Sequence, residues 1–118
     1  MNIIIITSNS IRHNYFKIMF AHSIKLNVIK TFVESKDLLN LDIIRNSELD
    51  DLNKSHFDIR HNIEHDFFSD IINTLPDKSN SKYIDKGDIN QESIINEIYS
   101  LNPDLIITYG CSIIKPKL

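Results

Sequence analysis

Ile3-Ile4-Ile5-Ile6 is an unbroken β-branched run, and it limits the possible folds more than any other feature of the chain. Four consecutive apolar residues leave a strand no polar face to turn toward water. Such a run suits a parallel strand covered on both sides, the kind found inside α/β sheets. The run breaks at Thr7-Ser8-Asn9-Ser10, where Ser8 or Ser10 can cap a following helix. Tyr15, Phe16, Met19, Phe20 and Ile24 then recur at helical spacing as one apolar stripe. Val28 to Val33 reads as a second strand, so the chain opens as β-α-β.

Asp37 to Ser55 is polar, with short Leu and Ile clusters and no steady period, and is expected to be loop with at most a short helix. Ile63, Phe67, Phe68, Ile71, Ile72 and Leu75 form a second helical stripe, ended by Pro76. Asp77 to Ser81 reads as loop and Tyr83 to Asp85 as a short strand. Asn90 is expected to cap a helix reaching Leu101, with Ile94, Ile95, Ile98 and Leu101 inward and Pro103 closing it. Asp104 to Thr108 is the clearest strand. Alternating strands and helices predict an α/β fold, a Rossmann-like open parallel sheet of three or four strands. The expected strand order is 3-2-1-4, with Ile3–Ile6 beside Leu105–Thr108.

At 118 residues the chain holds one domain at most. Its 42% apolar and 25% charged content is ordinary for a globular protein. A net charge of −3 gives no basic footprint, so nucleic acid is not an expected partner. Cys111 is the single cysteine and can form no internal disulfide, which favours a reducing compartment. The Ile run is too short for a membrane span or the core of a signal peptide. A cytoplasmic location without membrane association is the expectation.

Three places could carry chemistry. The turn Ser8-Asn9-Ser10 opens a helix whose free N–H groups and positive dipole end suit a phosphate or carboxylate, and Arg12 and His13 follow within reach of an anion. Simple helix capping is the plainer explanation of the same residues. Gly87 and Gly110 are the only glycines, so neither a dinucleotide fingerprint nor a P-loop is present. His61-Asn62-Ile63-Glu64-His65 formally matches the inverted zinc-protease pattern H-x-x-E-H. No third ligand follows it, and two partly exposed histidines beside a core face are expected instead, with no metal. Cys111 follows a strand and a glycine, but neither an activating base nor a cause for a lowered pKa accompanies it. The third place is Asn102 to Pro116: helix stop, buried strand, a turn opened by Gly110, an apolar wall at Ile113-Ile114, and an exit fixed by Pro116. A strand end with a permissive glycine lets a flat ligand lie against backbone groups.

The stretch Asn102-Pro103-Asp104-Leu105-Ile106-Ile107, with Gly110 and Ile113-Ile114-Lys115-Pro116 after it, resembles the folate-dependent formyltransferase family. That family includes the glycinamide ribonucleotide, methionyl-tRNA and sugar-nucleotide N-formyltransferases. Gly87-Asp88-Ile89-Asn90 is similar to the segment that precedes this strand in the family. Ile3 to Phe20, with Arg12-His13-Asn14-Tyr15-Phe16, and the helix His61 to Phe68 resemble a branch of formyltransferase-like proteins. The likeness is good over 87–118, fair over 1–33 and poor between. It implies that Tyr109, Gly110, Cys111, Ser112 and Ile114 belong to the pocket for the pterin ring of 10-formyltetrahydrofolate. It also implies that Ser8, Asn9 and Ser10 lie where some members hold a substrate phosphate, although the usual glycine is missing there. Arg12 and His13 are counted with them as substrate-binding residues.

The family's catalytic Asn-x-His and later Asp have no counterpart among the 118 residues. The expectation is therefore an incomplete formyltransferase domain spanning 1–118, with no catalytic residue of its own. The complete protein would take a small-molecule amine. The general acid/base work of formyl transfer would belong to the missing residues. A non-catalytic α/β module that binds a ligand or a partner is the alternative from another class. In either case Leu105–Thr108 would be an exposed sheet edge, open to self-association.

Overall fold

The structure is a computed structural model that describes residues 1–35 and 51–118. The elements are β1 (Asn2–Ser8), α1 (Ile11–Ala21), β2 (Asn27–Glu34), α2 (Asp51–Thr74), β3 (Ser81–Ile84), a 3-10 turn (Asp88–Asn90), α3 (Glu92–Leu101) and β4 (Leu105–Thr108). The four strands form one sheet in the order β3-β2-β1-β4, and every pairing is parallel. The α/β architecture and the 3-2-1-4 order are thus as the sequence predicts, with Ile3–Ile6 paired to Leu105–Thr108.

Strand alternation divides the sheet's side chains between two layers. Ile4, Ile6 and Phe32 meet Ile89, Ile94 and Ile98 in a core on the α3 side, joined by the half-buried Ile106, Cys111, Ile114 and Leu118. Ile3 and Ile5 are equally buried but alternate to the other face. There α1 lies over β1 and β2. A slip between Ile3 and Ile4 gives β2 one extra residue, so Ile6 pairs with Phe32. Without it Thr31 would take that place, and a hydroxyl rather than a ring would face α3.

Several expectations need correction. The described part of Asp37–Ser55 is helical from Asp51, so α2 begins earlier than the polar composition suggests; residues 37–50 lie outside the described residues. The α2 stripe is split. Phe68, Ile71, Ile72 and Leu75 are half-buried, whereas Ile63 and Phe67 are exposed. The α1 stripe is also incomplete, because Phe16 and Met19 each keep 41% of their surface exposed and Ile24 lies beyond the helix end in solvent. The side chains α1 does bury are Ile18 and Lys17.

Lys17 is 2% exposed, and its ammonium reaches Ser81 Oγ at 2.8 Å, Asp77 Oδ2 at 3.1 Å and Tyr83 Oη at 3.4 Å. These bonds tie α1 to β3. They offset the cost of removing a charge from water. Asn90 does not cap α3. It ends the 3-10 turn, and Gln91 precedes the helix. Lastly, β4 is apolar but not covered on both sides, since Leu105 and Thr108 are exposed at the sheet's edge.

Candidate functional site

In a parallel sheet all strands deliver their following loops to one edge, which is where open α/β sheets bind ligands. Here β1, β2 and β4 bring three stretches together at that edge. After β1, Ser10 caps α1 by accepting the His13 N–H (3.3 Å), which resolves the choice between Ser8 and Ser10. Ser8 Oγ instead lies 2.7 Å from His13 Nδ1 and fixes the imidazole. Asn9 Oδ1 accepts from Asn14 Nδ2, and the Asn9 N–H donates to the Glu34 carbonyl at 3.0 Å.

After β4, the Tyr109 N–H donates to the Ile6 carbonyl, and its hydroxyl donates to the His13 carbonyl at 3.2 Å. The Tyr109 ring meets His13 edge-on, with centroids 5.4 Å apart, and Phe16 at 6.0 Å. Burial pushes the Tyr109 phenol up to about 12, so it stays neutral and remains a donor. Gly110 takes a left-handed φ of +65° against His13. Arg12, His13, Phe16, Phe20 and Tyr109 line a cavity of about 360 Å³. Its apolar walls with a cation at the rim suit a flat ligand carrying negative charge. Arg12 is exposed and pairs with Glu64 of α2 at 3.6 Å.

The deeper part of the edge is organised by Glu34, which is 2% exposed. Its Oε1 accepts the Ser112 N–H at 2.7 Å, and Oε2 accepts the Ser112 hydroxyl at 2.7 Å and the Gly87 N–H at 2.6 Å. Burial, with the Glu34 charge added, raises the Cys111 thiol above its ordinary value of 9.0, so it is not an activated nucleophile. Ile114 turns to the α3-side core, leaving Ile113 as the exposed residue of the apolar wall. Asn90 Nδ2 donates to the Ile113 carbonyl (3.0 Å), and its Oδ1 accepts the Lys115 N–H (2.8 Å).

The two groups of residues singled out in the sequence, Ser8–His13 and Tyr109–Ser112, are therefore neighbours through the contacts of His13 with Tyr109 and Gly110. Glu34, Asn90 and Phe20's part in the cavity wall carried no comparable sequence signal. The one hint was an acidic residue ending the apolar strand Thr31-Phe32-Val33-Glu34. His61 and His65 are exposed on α2, and Glu64 between them is taken by Arg12 and Arg60. Among the described residues, no cluster of three His, Cys, Asp or Glu could hold a metal ion. No described helix is long and apolar enough to cross a membrane.

No protein-family model, curated protein or solved structure matches the chain.

Proposed function

We propose that this chain is the first part of a folate-dependent formyltransferase domain. The complete domain would move a formyl group from 10-formyltetrahydrofolate to an amine of a small molecule or nucleotide-sugar. This chain supplies the sheet and one wall of the pocket. The observation that carries the reading is the convergence, at one carboxyl edge, of the Ser8–His13 turn with the Tyr109–Ser112 loop. A loop whose backbone is fixed, with the His13 ring set against its glycine, suits a flat ring bonded through main-chain groups. The cavity beside Arg12 suits the anionic end of a substrate. Neither Tyr109 nor Cys111 is poised as the general acid or base of formyl transfer. Tyr109 is held neutral and Cys111 as the thiol, and no Asn-x-His occurs in the sequence.

That last fact also favours a second reading, a module that binds a ligand or a partner without turnover. One titration separates the two. The ¹⁵N-labelled chain is followed by NMR as 5-formyltetrahydrofolate, a stable folate analogue, is added. Resonances of Tyr109, Gly110, Cys111 and Ser112 are expected to move, with no formyl transfer in a parallel assay. Resonances that stay in place at saturating folate would remove the formyltransferase reading and leave the binding module.

A further inference from the structure

We propose that Glu34 is the positioning residue of this pocket: it fastens the three loops of the sheet's carboxyl edge to one another and sets the Gly110–Ser112 wall. The role as a pocket residue rests on the ligand-wall reading above. The placement of Glu34 is unusual for a carboxylate. It ends β2, the strand beside the central β1, and is almost wholly buried. Among the described residues no cation pairs with it; three protein donors hold it instead. A carboxylate taken out of water needs N–H and O–H groups to take its lone pairs.

Those donors come from two loops far apart in sequence, at Gly87 and Ser112, while the Glu34 main chain holds a third at Asn9. Each bond is directional, so the two carboxylate oxygens dictate where both loops lie. Asn90 completes the arrangement by fixing the chain on either side of Ile114. The wall is thus tied at Ser112 by Glu34 and at Ile113 and Lys115 by Asn90. An apolar residue of similar size could fill the same volume, but it would leave the Gly87 and Ser112 N–H groups without acceptors and would orient neither loop. The Glu34 carboxylate is engaged by the Gly87 and Ser112 donors, so it acts through the loops and not on a ligand.

The test uses this chain and Glu34→Gln. Glutamine keeps one acceptor oxygen and presents an NH₂ group where a loop N–H points, so one loop must detach. Two measurements are made: amide hydrogen exchange by NMR, and the pH dependence of Cys111 alkylation by iodoacetamide. Exchange at Gly87 and Ser112 is expected to speed up by about tenfold or more, because charged hydrogen bonds are lost. Ile4, Ile5 and Ile6 in β1 should keep their protection. Cys111 alkylation should shift to lower pH, since the negative charge that disfavours its thiolate is gone. A merely space-filling role would not move that profile.

Unchanged exchange and an unchanged alkylation profile overturn the proposal, and so does a uniform loss of protection that includes β1. Should Glu34→Gln fail to fold, Ser112→Ala removes only the hydroxyl bond. It should speed exchange at Ser112 while sparing Gly87, and unaltered exchange there would equally overturn the proposal. The expected exchange pattern in a chain that binds no folate would overturn the folate reading alone.

Discussion

The His13 imidazole occupies the space in which a side chain at Gly110 would begin. A Cβ built on Gly110 would stand 2.1 Å from His13 Cε1, and the residue's φ of +65° is itself costly for any L side chain. His13 cannot simply swing away, because Ser8 holds its Nδ1 and Tyr109 packs on its ring. Gly110→Ala is therefore expected to destabilise the fold by about 2 kcal/mol, combining backbone strain with displacement of the imidazole. Adding His13→Ala should recover the steric part and leave the backbone part. Urea denaturation of the two single variants and the double variant should show a coupling of about 1 kcal/mol. Strictly additive losses would mean that the ring does not oppose the new methyl group.

The buried Lys17 makes a second, independent prediction. Removing one partner of a buried pair strands the other, at a cost of about 3 kcal/mol where both are enclosed. Asp77 is partly exposed, its side chain 38% accessible, and water can compensate it. Lys17→Ala should thus cost nearer 2 kcal/mol, most of it from lost bonds to Ser81 and lost packing of the stem. Lys17→Met, which keeps the stem, should cost less. Equal losses in the two variants would show that the packing contributes nothing.

Asp77 also ties stability to acid pH. Burial alone would raise its carboxyl, but the Ser79 hydroxyl and N–H and the Lys17 ammonium outweigh burial and hold it below 3.8. A carboxyl lowered in the folded state contributes stability above its unfolded pKa and loses it as pH falls through the folded value. That contribution should therefore disappear below about pH 4. Asp77→Asn should flatten the stability curve in this range. An unchanged acid limb in the variant would remove Asp77 from the account.

Much of this architecture is legible in the sequence because parallel strands are short, apolar and bounded by caps and prolines. Ile3–Ile6 and Leu105–Thr108 declare themselves in this way, and the strand order follows from linking them by short crossovers. The α2 stripe misleads for a geometric reason. Helical period marks an apolar face but does not say how much of it finds a partner. With Arg12 opposite Glu64 and the Tyr15 ring tilted against Phe68, α1 starts about midway along α2, and the earlier turns of α2 extend past it. Ile59 and Ile63 are exposed there. Glu34 and Asn90 escape local reading because their partners are tertiary. Glu34 and Ser112 lie 78 positions apart, and no pattern within a window of helix or strand length joins them.

Tyr109 should mark the alkaline side. Burial raises its phenol to about 12, so the folded chain resists the ionisation that the unfolded chain undergoes near 10. A group whose folded pKa is raised stabilises relative to its ionised state below the unfolded value, and that advantage is lost as pH rises through the folded value. The folded state should therefore weaken between about pH 10 and 12, and Tyr109→Phe should lose less stability there. The difference in phenolate absorbance between the two proteins should emerge only near pH 12. A difference emerging near pH 10 would place the ring in open water.

The two edges of the sheet differ, and the difference predicts how the chain associates. The β3 edge carries Lys82, whose ammonium is paired with Glu97 at 2.7 Å, so a charge stands on that strand. The β4 edge reads Leu105-Ile106-Ile107-Thr108, with no charge, proline or bulge in the strand, and among the described residues it pairs only with β1. Beside it Ile98, Tyr99, Leu105 and Leu118 line an open cavity of about 450 Å³. A flat apolar edge with free N–H and C=O groups is a template for another strand, and one charged side chain on it is often enough to block pairing. The purified chain should show a molar mass that rises with concentration in light scattering. Leu105→Lys should return it to the monomer, because Leu105 is 46% exposed and a lysine there can reach water without disturbing β1. Lys82→Leu should add association through the opposite edge. A wild-type chain that stays monomeric at all concentrations would show that the β4 edge is closed by its own twist and short length.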